Sequence, residues 1–234
     1  MVNKEFEDDF TGYLFYYPLF SNQKFEKPDG NPILYAGLAQ AVRNSFFFID
    51  HEKSVKWVND LYENCKVEPG LINRGSHKKL DDQDHDDYIG LVYMSYFYNQ
   101  EIAKEIYNYG KKHYGMYNNT GDKRLIAGIL ESLNTRFPGW WAHIKLAAGV
   151  KLNFIDKFWW FIGCLGSFEP SGAQMQWLKT DLYLRQEQKY WLMDKGVKIF
   201  QNGIRKKYEH LMGSVFLKYF GPNHAFTKWM MGRI

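Results

Sequence analysis

The sequence DYIGLVYMSYFY, residues 87–98, decides the class of fold because it is apolar on nearly every side. A helix that is apolar all round has to be covered by other elements in every direction. The next segment, 101–112, is amphipathic: Ile102 and Ile106 lie on one face and Lys104 and Lys111 on the other. The two segments therefore predict a helical hairpin in which a buried helix is followed by a more solvated one.

The rest of the chain after residue 33 repeats the helical pattern. A helix is predicted from Leu34, just past Pro32, and a second over 54–65 with Ser54 as its N-cap. Further helices are predicted over 140–148, 152–165, 173–183 and 195–219, the last bent near Gly203 or Gly213. Strand signals are few, and 13–19 is the main one.

These patterns predict an all-α fold of successive helical hairpins. Because inner and outer helices alternate without a strict sequence repeat, an incomplete α/α toroid is favoured over an α-solenoid. Residues 1–33, rich in Phe, Tyr, Pro and Asn, are expected to form an irregular aromatic arm packed on a single helical domain, 34–234.

Composition excludes several classes of protein. At 234 residues, with 45% hydrophobic and 24% charged residues, the chain is neither disordered nor fibrous. The longest apolar run, 158–168, has the length of a buried core helix, so no membrane span is expected. Aromatic residues make up 18% of the chain, and most of them are expected in the core.

Charge is divided unevenly along the chain. Residues 1–100 hold 16 acids and 10 bases, net −6, whereas residues 101–234 hold 10 acids and 20 bases, net +10. The basic half can face an anionic partner or dock on the acidic half. Since no run of five like charges and no nucleic-acid-binding signature is present, nucleic acid is not expected as the partner.

The cysteines and the first residues indicate a reducing compartment. Cys65 and Cys164 lie far apart and outside any CxxC pattern, so both are predicted to be free, packed thiols. Residues 1–10 are acidic where a secretory leader would be basic and then apolar, so we do not expect secretion by a signal peptide.

The most informative polar stretch is DDQDHDD, residues 81–87, which places five acids directly before the buried helix. Such crowding costs Coulomb energy unless a cation or a helix N-terminus lies near. A purely structural interpretation is available: Asp86 is a good N-cap, and Asp84 and Asp87 favour the positive end of the helix dipole.

The alternating acids are also candidate metal ligands. The oxygen set that could hold Ca²⁺ or Mg²⁺, if a divalent ion is bound, is Asp82, Asp84 and Asp86. An EF-hand needs Gly and Glu where this chain has Asp87 and Tyr93, so the site would be irregular. His77 and His85 keep a zinc alternative open, although their spacing does not support it, and no cofactor is required by the sequence.

The same acids have a catalytic interpretation. Glycoside hydrolysis needs one protonated and one ionised carboxyl, and crowded acids separate their pKa values. Asp86 or Asp87 would serve as acid or base, with Glu68 as a second carboxyl. The candidate substrate-binding residues are Arg74, Arg136, Trp140 and His143. They fit an anionic polysaccharide through arginine clamps and ring stacking, although a histidine on an apolar helix is more often a core residue.

Several short motifs carry a resemblance. They are EPGL (68–71) with Arg74, DDYIG (86–90), RFP (136–138) with AH (142–143), and YFGPNH (219–224). Together they resemble a group of bacteriophage-encoded proteins with no established activity. The resemblance implies a viral origin, a place in the host cytoplasm or the virion, and another phage or host protein as partner. The order GLxxR, then DDYxG, is also similar in style to α/α-toroid polysaccharide enzymes, which is a fold-level analogy.

Two functions follow as expectations. The first is a phage-encoded hydrolase or lyase that acts on a polysaccharide through clustered carboxylates. The alternative is a non-enzymatic phage protein, either a virion component or an inhibitor of a host system, whose acid cluster caps a buried helix.

Overall fold

The computed structural model describes residues 32–46, 51–73, 85–113, 140–166 and 170–204. This part of the chain is all-α apart from one two-stranded sheet, which confirms the predicted class. The elements in chain order are α1 (Pro32–Phe46), α2 (His51–Cys65), β1 (Lys66–Glu68), β2 (Leu71–Ile72), α3 (His85–Tyr98), α4 (Gln100–Lys112), α5 (Trp140–Ala147), α6 (Phe154–Leu165), α7 (Pro170–Arg185) and α8 (Trp191–Ile199), with a π-helical turn over Phe200–Ile204.

Helix α3 lies at the centre of this structure. Residues 86–95 are all buried, and α3 packs against α1, α2, α4, α5 and α7. The prediction from its apolar sequence is therefore confirmed: a helix with no polar face is covered on every side.

Helices α3 and α4 form the predicted hairpin, joined by Asn99 alone. The Oδ1 atom of Asn99 accepts a hydrogen bond from the backbone N–H of Glu101 at 3.2 Å and so caps α4. Ile102 and Ile106 are buried, whereas Lys111 is exposed, as the amphipathic pattern predicts.

Helix α1 crosses α3 at very short range because glycines meet at the crossing. A Cβ atom built on Gly37 would lie 2.6 Å from the Cα of Gly90, and one built on Gly90 would lie 2.2 Å from the carbonyl oxygen of Ile33. Any larger side chain at Gly90 would meet backbone atoms of α1, which cannot move aside as a flexible side chain can. The close crossing therefore depends on glycine.

Helix α7 is tied to α3 by a polar contact. The hydroxyl of Tyr93 donates to the Asp181 carboxylate at 2.6 Å, and the Arg185 Nε donates to the same oxygen at 2.7 Å. The Tyr93 hydroxyl also accepts a hydrogen bond from Nδ2 of Asn44 in α1 at 3.5 Å, so this buried group is paired with both neighbouring helices.

Several boundaries differ from those predicted. Helix α2 begins at His51, so Ser54 lies inside the first turn instead of at the N-cap, and α3 begins at His85, so Asp86 lies inside its first turn. Helix α1 begins at Pro32, inside the predicted 1–33 arm, because proline fits the first position of a helix.

The antiparallel hairpin of β1 and β2 was not predicted. Its strands have three and two residues, too short to show a period of two. The turn between them is made by Gly70, whose φ of 84° lies in the left-handed region.

Both cysteines are free and buried, as predicted. Among the helices in the described ranges, none is long and apolar enough to cross a membrane. The toroid, the single domain and the aromatic arm stay predictions, and residues 1–31, with most of the arm, lie outside the described part of the chain.

Candidate functional site

The DDYIG motif lies at the start of α3, where α1, α5 and the β-hairpin meet it. Asp87 is buried, and its Oδ1 atom accepts two hydrogen bonds from the first turn of α1: from the Ile33 N–H at 3.0 Å and the Leu34 N–H at 3.1 Å. These amides have no partner within their own helix, so the carboxylate caps α1 and meets the positive end of its dipole. Asp87 thus acts as a cap for another helix, and not only as a charge at the start of its own.

The residues that follow Asp87 are also occupied by the fold. The hydroxyl of Tyr88 accepts a hydrogen bond from the Ile72 N–H at 2.9 Å, which anchors strand β2. The Ile89 carbonyl lies 3.3 Å from Nε2 of His143, and because a carbonyl only accepts, that nitrogen carries the proton. Gly90 permits the crossing with α1.

The EPGL motif forms the β-hairpin turn. The Gly70 N–H donates to the Tyr62 hydroxyl at 2.8 Å, and a Cβ atom at Gly70 would lie 2.4 Å from the carbonyl oxygen of Glu105. Glu68 is exposed on β1, where it accepts a hydrogen bond from the Tyr109 hydroxyl. The pKa of Tyr109 is raised to about 12, mainly by burial and secondly by the charge of Glu68 and this hydrogen bond. Glu68 therefore lies on the outer face of the hairpin against α4, whereas Asp86 and Asp87 are in the interior.

Asp86 belongs to a buried polar cluster formed by α3, α5, α6 and α7. The members are Asp86, His143, Cys164, Gln176 and Lys179, all buried. Lys179 is only 3% exposed, and burial lowers its pKa from 10.5 to about 8, against the opposing effects of Cys164 and Asp86. With a pKa of about 8, Lys179 is still mostly protonated at neutral pH, so this cluster contains a buried ammonium group.

His143 shares that environment. Burial, and then the charge of Lys179, lower the pKa of its imidazole from 6.5 to about 3. Burial also raises the pKa of the Cys164 thiol to about 12, and that sulfur accepts a hydrogen bond from Nε2 of Gln176 at 2.9 Å. At neutral pH the histidine and the thiol are therefore uncharged, as a dry interior demands.

Trp140, the tryptophan predicted to stack on a sugar, is in the core. Trp140 is 2% exposed and Trp160 is fully buried, so neither offers a face to a polymer outside the protein. Trp141, also buried, stacks on Tyr107 with ring centroids 5.1 Å apart. These tryptophans hold helices together, as the sequence pattern allowed.

The other predicted site residues fall outside the described residues. They are Arg74, Asp82, Asp84 and Arg136, together with His77 and His224. Among the residues in the described ranges, no group of three His, Cys, Asp or Glu side chains is arranged to hold a metal ion. The predicted calcium or magnesium site therefore stays a prediction.

Two features were not predicted from the sequence. Lys179 lies on the inward stripe of α7 with Met175, Leu178 and Leu182, and a lysine at such a position is the one sequence signal that could have found it. The second feature is a surface groove whose two halves are about 35 residues apart along the chain, so no local pattern reveals it.

This surface feature, the aromatic–lysine groove, has a cavity volume of about 490 Å³. It is lined by Phe154, Lys157, Phe158, Lys189, Tyr190, Trp191 and Leu192. Phe154 is 72% exposed and Trp191 is 69% exposed, unusual values for rings on a folded domain. Helices α6 and α8 therefore present an open, concave and cationic aromatic surface.

No protein-family model, curated protein or solved structure matches this chain. Its function is therefore argued from its own residues and contacts.

Proposed function

We propose that this chain is a non-enzymatic phage protein, a virion component or an inhibitor of a host system, that works by binding a partner. The observation that carries the proposal is the Asp87 carboxylate, whose Oδ1 accepts from the N–H groups of Ile33 and Leu34. An acid that is 1% exposed and whose oxygen already holds two backbone N–H groups of another helix is occupied by the fold and does not face a substrate outside the protein.

The neighbouring motif residues support the same proposal. Tyr88 anchors β2, Gly90 allows the α1 crossing, and Gly70 turns the β-hairpin against α4. The tyrosine and the two glycines therefore each have a structural role. Because Asp87, Tyr88 and Gly90 all serve the fold, these members of the motif give little reason to assign it a reaction.

Binding, as opposed to catalysis, is supported by the surface. The aromatic–lysine groove exposes rings that a protein without a partner would tend to bury, and patches of this kind mark interaction sites. The basic half of the chain, which contains the groove, also carries the net charge of +10.

One observation favours a second candidate, the hydrolase or lyase acting on a polysaccharide. Asp86 lies near Lys179, whose pKa is lowered to about 8, and displaced pKa values gather at active sites. In that case Asp86 would be the acid or base, with Lys179 setting its charge.

A paired measurement separates the two functions. The wild-type protein is incubated with neutral and anionic polysaccharides and the release of reducing ends is followed, while the free energy of unfolding is measured for Asp87→Ala and Asp86→Asn. We expect no sugar release, and a loss of about 2 kcal/mol for Asp87→Ala from the missing cap. Glu101→Ala, which changes an exposed acid on α4, is the control and should cost less than about 0.5 kcal/mol.

Sugar release by the wild type that is abolished in Asp86→Asn, with the stability of that variant unchanged, would overturn the non-enzymatic proposal. An Asp87→Ala variant as stable as wild type would remove the observation on which the proposal depends.

A further inference from the structure

The aromatic–lysine groove is formed where two helices begin side by side. Phe154 and Phe158 of α6 face Trp191 of α8 across it, and farther along the same helices Gly196 meets Cys164, whose sulfur would lie 3.0 Å from an added Cβ. Because early residues meet early residues and later ones meet later ones, α6 and α8 run parallel, with both N-termini at the groove.

The cations around the groove are fixed in place by their contacts. The Lys157 Nζ lies 4.3 Å from the ring centroid of Tyr190, and the Lys195 Nζ lies 4.0 Å from that of Trp191. The Lys189 Nζ donates to three carbonyl oxygens at the end of α7, at 2.8 to 3.1 Å. These lysines therefore give the groove a positive potential without collapsing into it.

The acid in the first turn of α8 is held by a tyrosine outside the groove. Asp194, in the first turn of α8, accepts a hydrogen bond from the Tyr183 hydroxyl at 2.7 Å and does not line the groove. The N-cap residue Tyr190 makes no side-chain capping bond, so the first N–H groups of α8 add to the positive end of the helix dipole. The groove is thus complementary in charge to an anion.

The lining also restricts the chemistry of that anion. Its seven residues are four aromatic rings, one leucine and two lysines, so among these lining side chains the Tyr190 hydroxyl alone can accept a hydrogen bond from a sugar hydroxyl. A neutral or acidic sugar polymer would find stacking there but little recognition of its hydroxyl groups. Flat aromatic bases on a phosphate chain need only ring faces and cations, which is the set present.

We propose that the aromatic–lysine groove binds single-stranded nucleic acid without sequence preference. Bases stack on Phe154 and Trp191, and phosphates meet Lys157 of the lining and Lys195, which is outside the lining and lies over the Trp191 ring. This inference rests on the binding function proposed above, since it names the partner of the same groove, but it does not depend on the role of Asp87. It also departs from the expectation drawn from sequence motifs, because the groove is assembled from two distant segments that match no known signature.

The test uses a fluorescein-labelled oligothymidylate of about 20 nucleotides, long enough to span several bases, and fluorescence anisotropy at low and moderate salt. We expect binding by the full chain, and affinity at least about fivefold lower for Trp191→Ala and for Phe154→Ala, since each stacked base contributes roughly 1–3 kcal/mol. Trp191→Phe keeps a ring and should retain most of the affinity. Lys195→Ser should reduce the slope of log affinity against log salt by about 0.7.

Matched controls lie off the groove. Ile199→Ala removes another exposed apolar side chain of α8, and Lys112→Ser removes an exposed cation of α4; neither should change the affinity or the salt slope beyond the loss of overall charge.

Three outcomes overturn the proposal. One is no oligothymidylate binding at low salt, and another is equal binding by wild type, Trp191→Ala and Phe154→Ala. The third is self-association that Trp191→Ala abolishes in a chain that binds no oligonucleotide, which assigns the groove to a protein contact. Circular dichroism of each variant confirms that a lost affinity is not a lost fold.

Discussion

His143 and Lys179 are two bases placed where water does not reach, and each lowers the stability of the protein when it takes up a proton. The pKa of His143 falls to about 3 and that of Lys179 to about 8, in both cases mainly because burial disfavours the charged form. At these two side chains the unfolded chain therefore binds more protons than the folded chain. The free energy of unfolding rises with pH wherever the numbers of bound protons differ in this direction.

For His143 the window runs from pH 6.5 down to about 3. The folded state holds the imidazole neutral there while the unfolded state protonates it, so stability is lost as the pH falls. Urea titrations at pH 7 and pH 4 measure the effect. Between these pH values we expect the free energy of unfolding to fall by about 3 kcal/mol less in His143→Gln than in wild type. His51→Gln, which changes an exposed histidine of α2, is the control, and parallel pH curves for wild type and His143→Gln would contradict the prediction.

For Lys179 the window runs from about pH 8 to 10.5. Below it the folded state bears the full cost of a buried ammonium group near His143, Cys164 and Asp86, and above it the amine is neutral in both states. Lys179→Met should therefore raise stability at pH 7 by up to about 3 kcal/mol and flatten the rise between pH 8 and 10. If the variant were less stable than wild type at pH 7, the prediction would be wrong. The interactions of the ammonium group would then contribute more free energy than its burial costs.

Between elements, the contact that sets the architecture is the α1–α3 crossing. It combines a carboxylate from α3 on the first turn of α1 with glycines that let the two backbones approach. A Cβ atom at Gly90 would lie 2.2 Å from the Ile33 carbonyl oxygen, well inside contact distance.

Gly90→Ala is accordingly expected to cost about 3 kcal/mol or more, since a buried helix pair has to separate to admit one methyl group. The free energy of unfolding from a urea titration measures it. Gly203→Ala is the matched control, because a Cβ atom there would have nothing within 4 Å. If the two alanine variants were equally stable, the close crossing would not be the constraint described above.

The elements differ in how well the sequence predicts them, for reasons that lie in their residues. The apolar surface of α3 and the two-faced pattern of α4 are strong local signals, and both helices were predicted. The hairpin 66–72 was missed, since strands of three and two residues carry no period. Helices α1 and α2 begin a few residues earlier than predicted, because Pro32 and His51 precede the apolar residues from which the prediction was made.

The site is harder to predict than the fold, as its contacts are distant in sequence. Asp87 meets Ile33, 54 residues earlier, and no spacing rule connects them. The sequence singled out DDYIG, but the hydrogen bonds of Asp87 to α1 and of Tyr88 to β2 could not be predicted from it. The burial of Lys179 and the exposure of Trp191 likewise depend on packing. The position of a lysine or tryptophan in a helical pattern does not show whether its side chain is buried or exposed.

At the scale of the whole molecule, the small net charge is the sum of an acidic and a basic half with different roles in the structure. The acidic half, net −6, contributes the Asp87 cap, whereas the basic half, net +10, carries the aromatic–lysine groove. Asp86 and Asp87 are buried whereas Lys189 and Trp191 are exposed, a distribution that agrees with the binding function proposed above.

The most direct test of this account is amide hydrogen exchange at Ile33 and Leu34 in wild type and Asp87→Ala. If the carboxylate caps α1, both amides are protected in wild type and exchange about tenfold faster or more in the variant, while the Ile106 amide of α4 keeps its rate. Unchanged protection at Ile33 and Leu34 would mean that Asp87 does not hold α1 in place, and the carboxylate would again be available for chemistry.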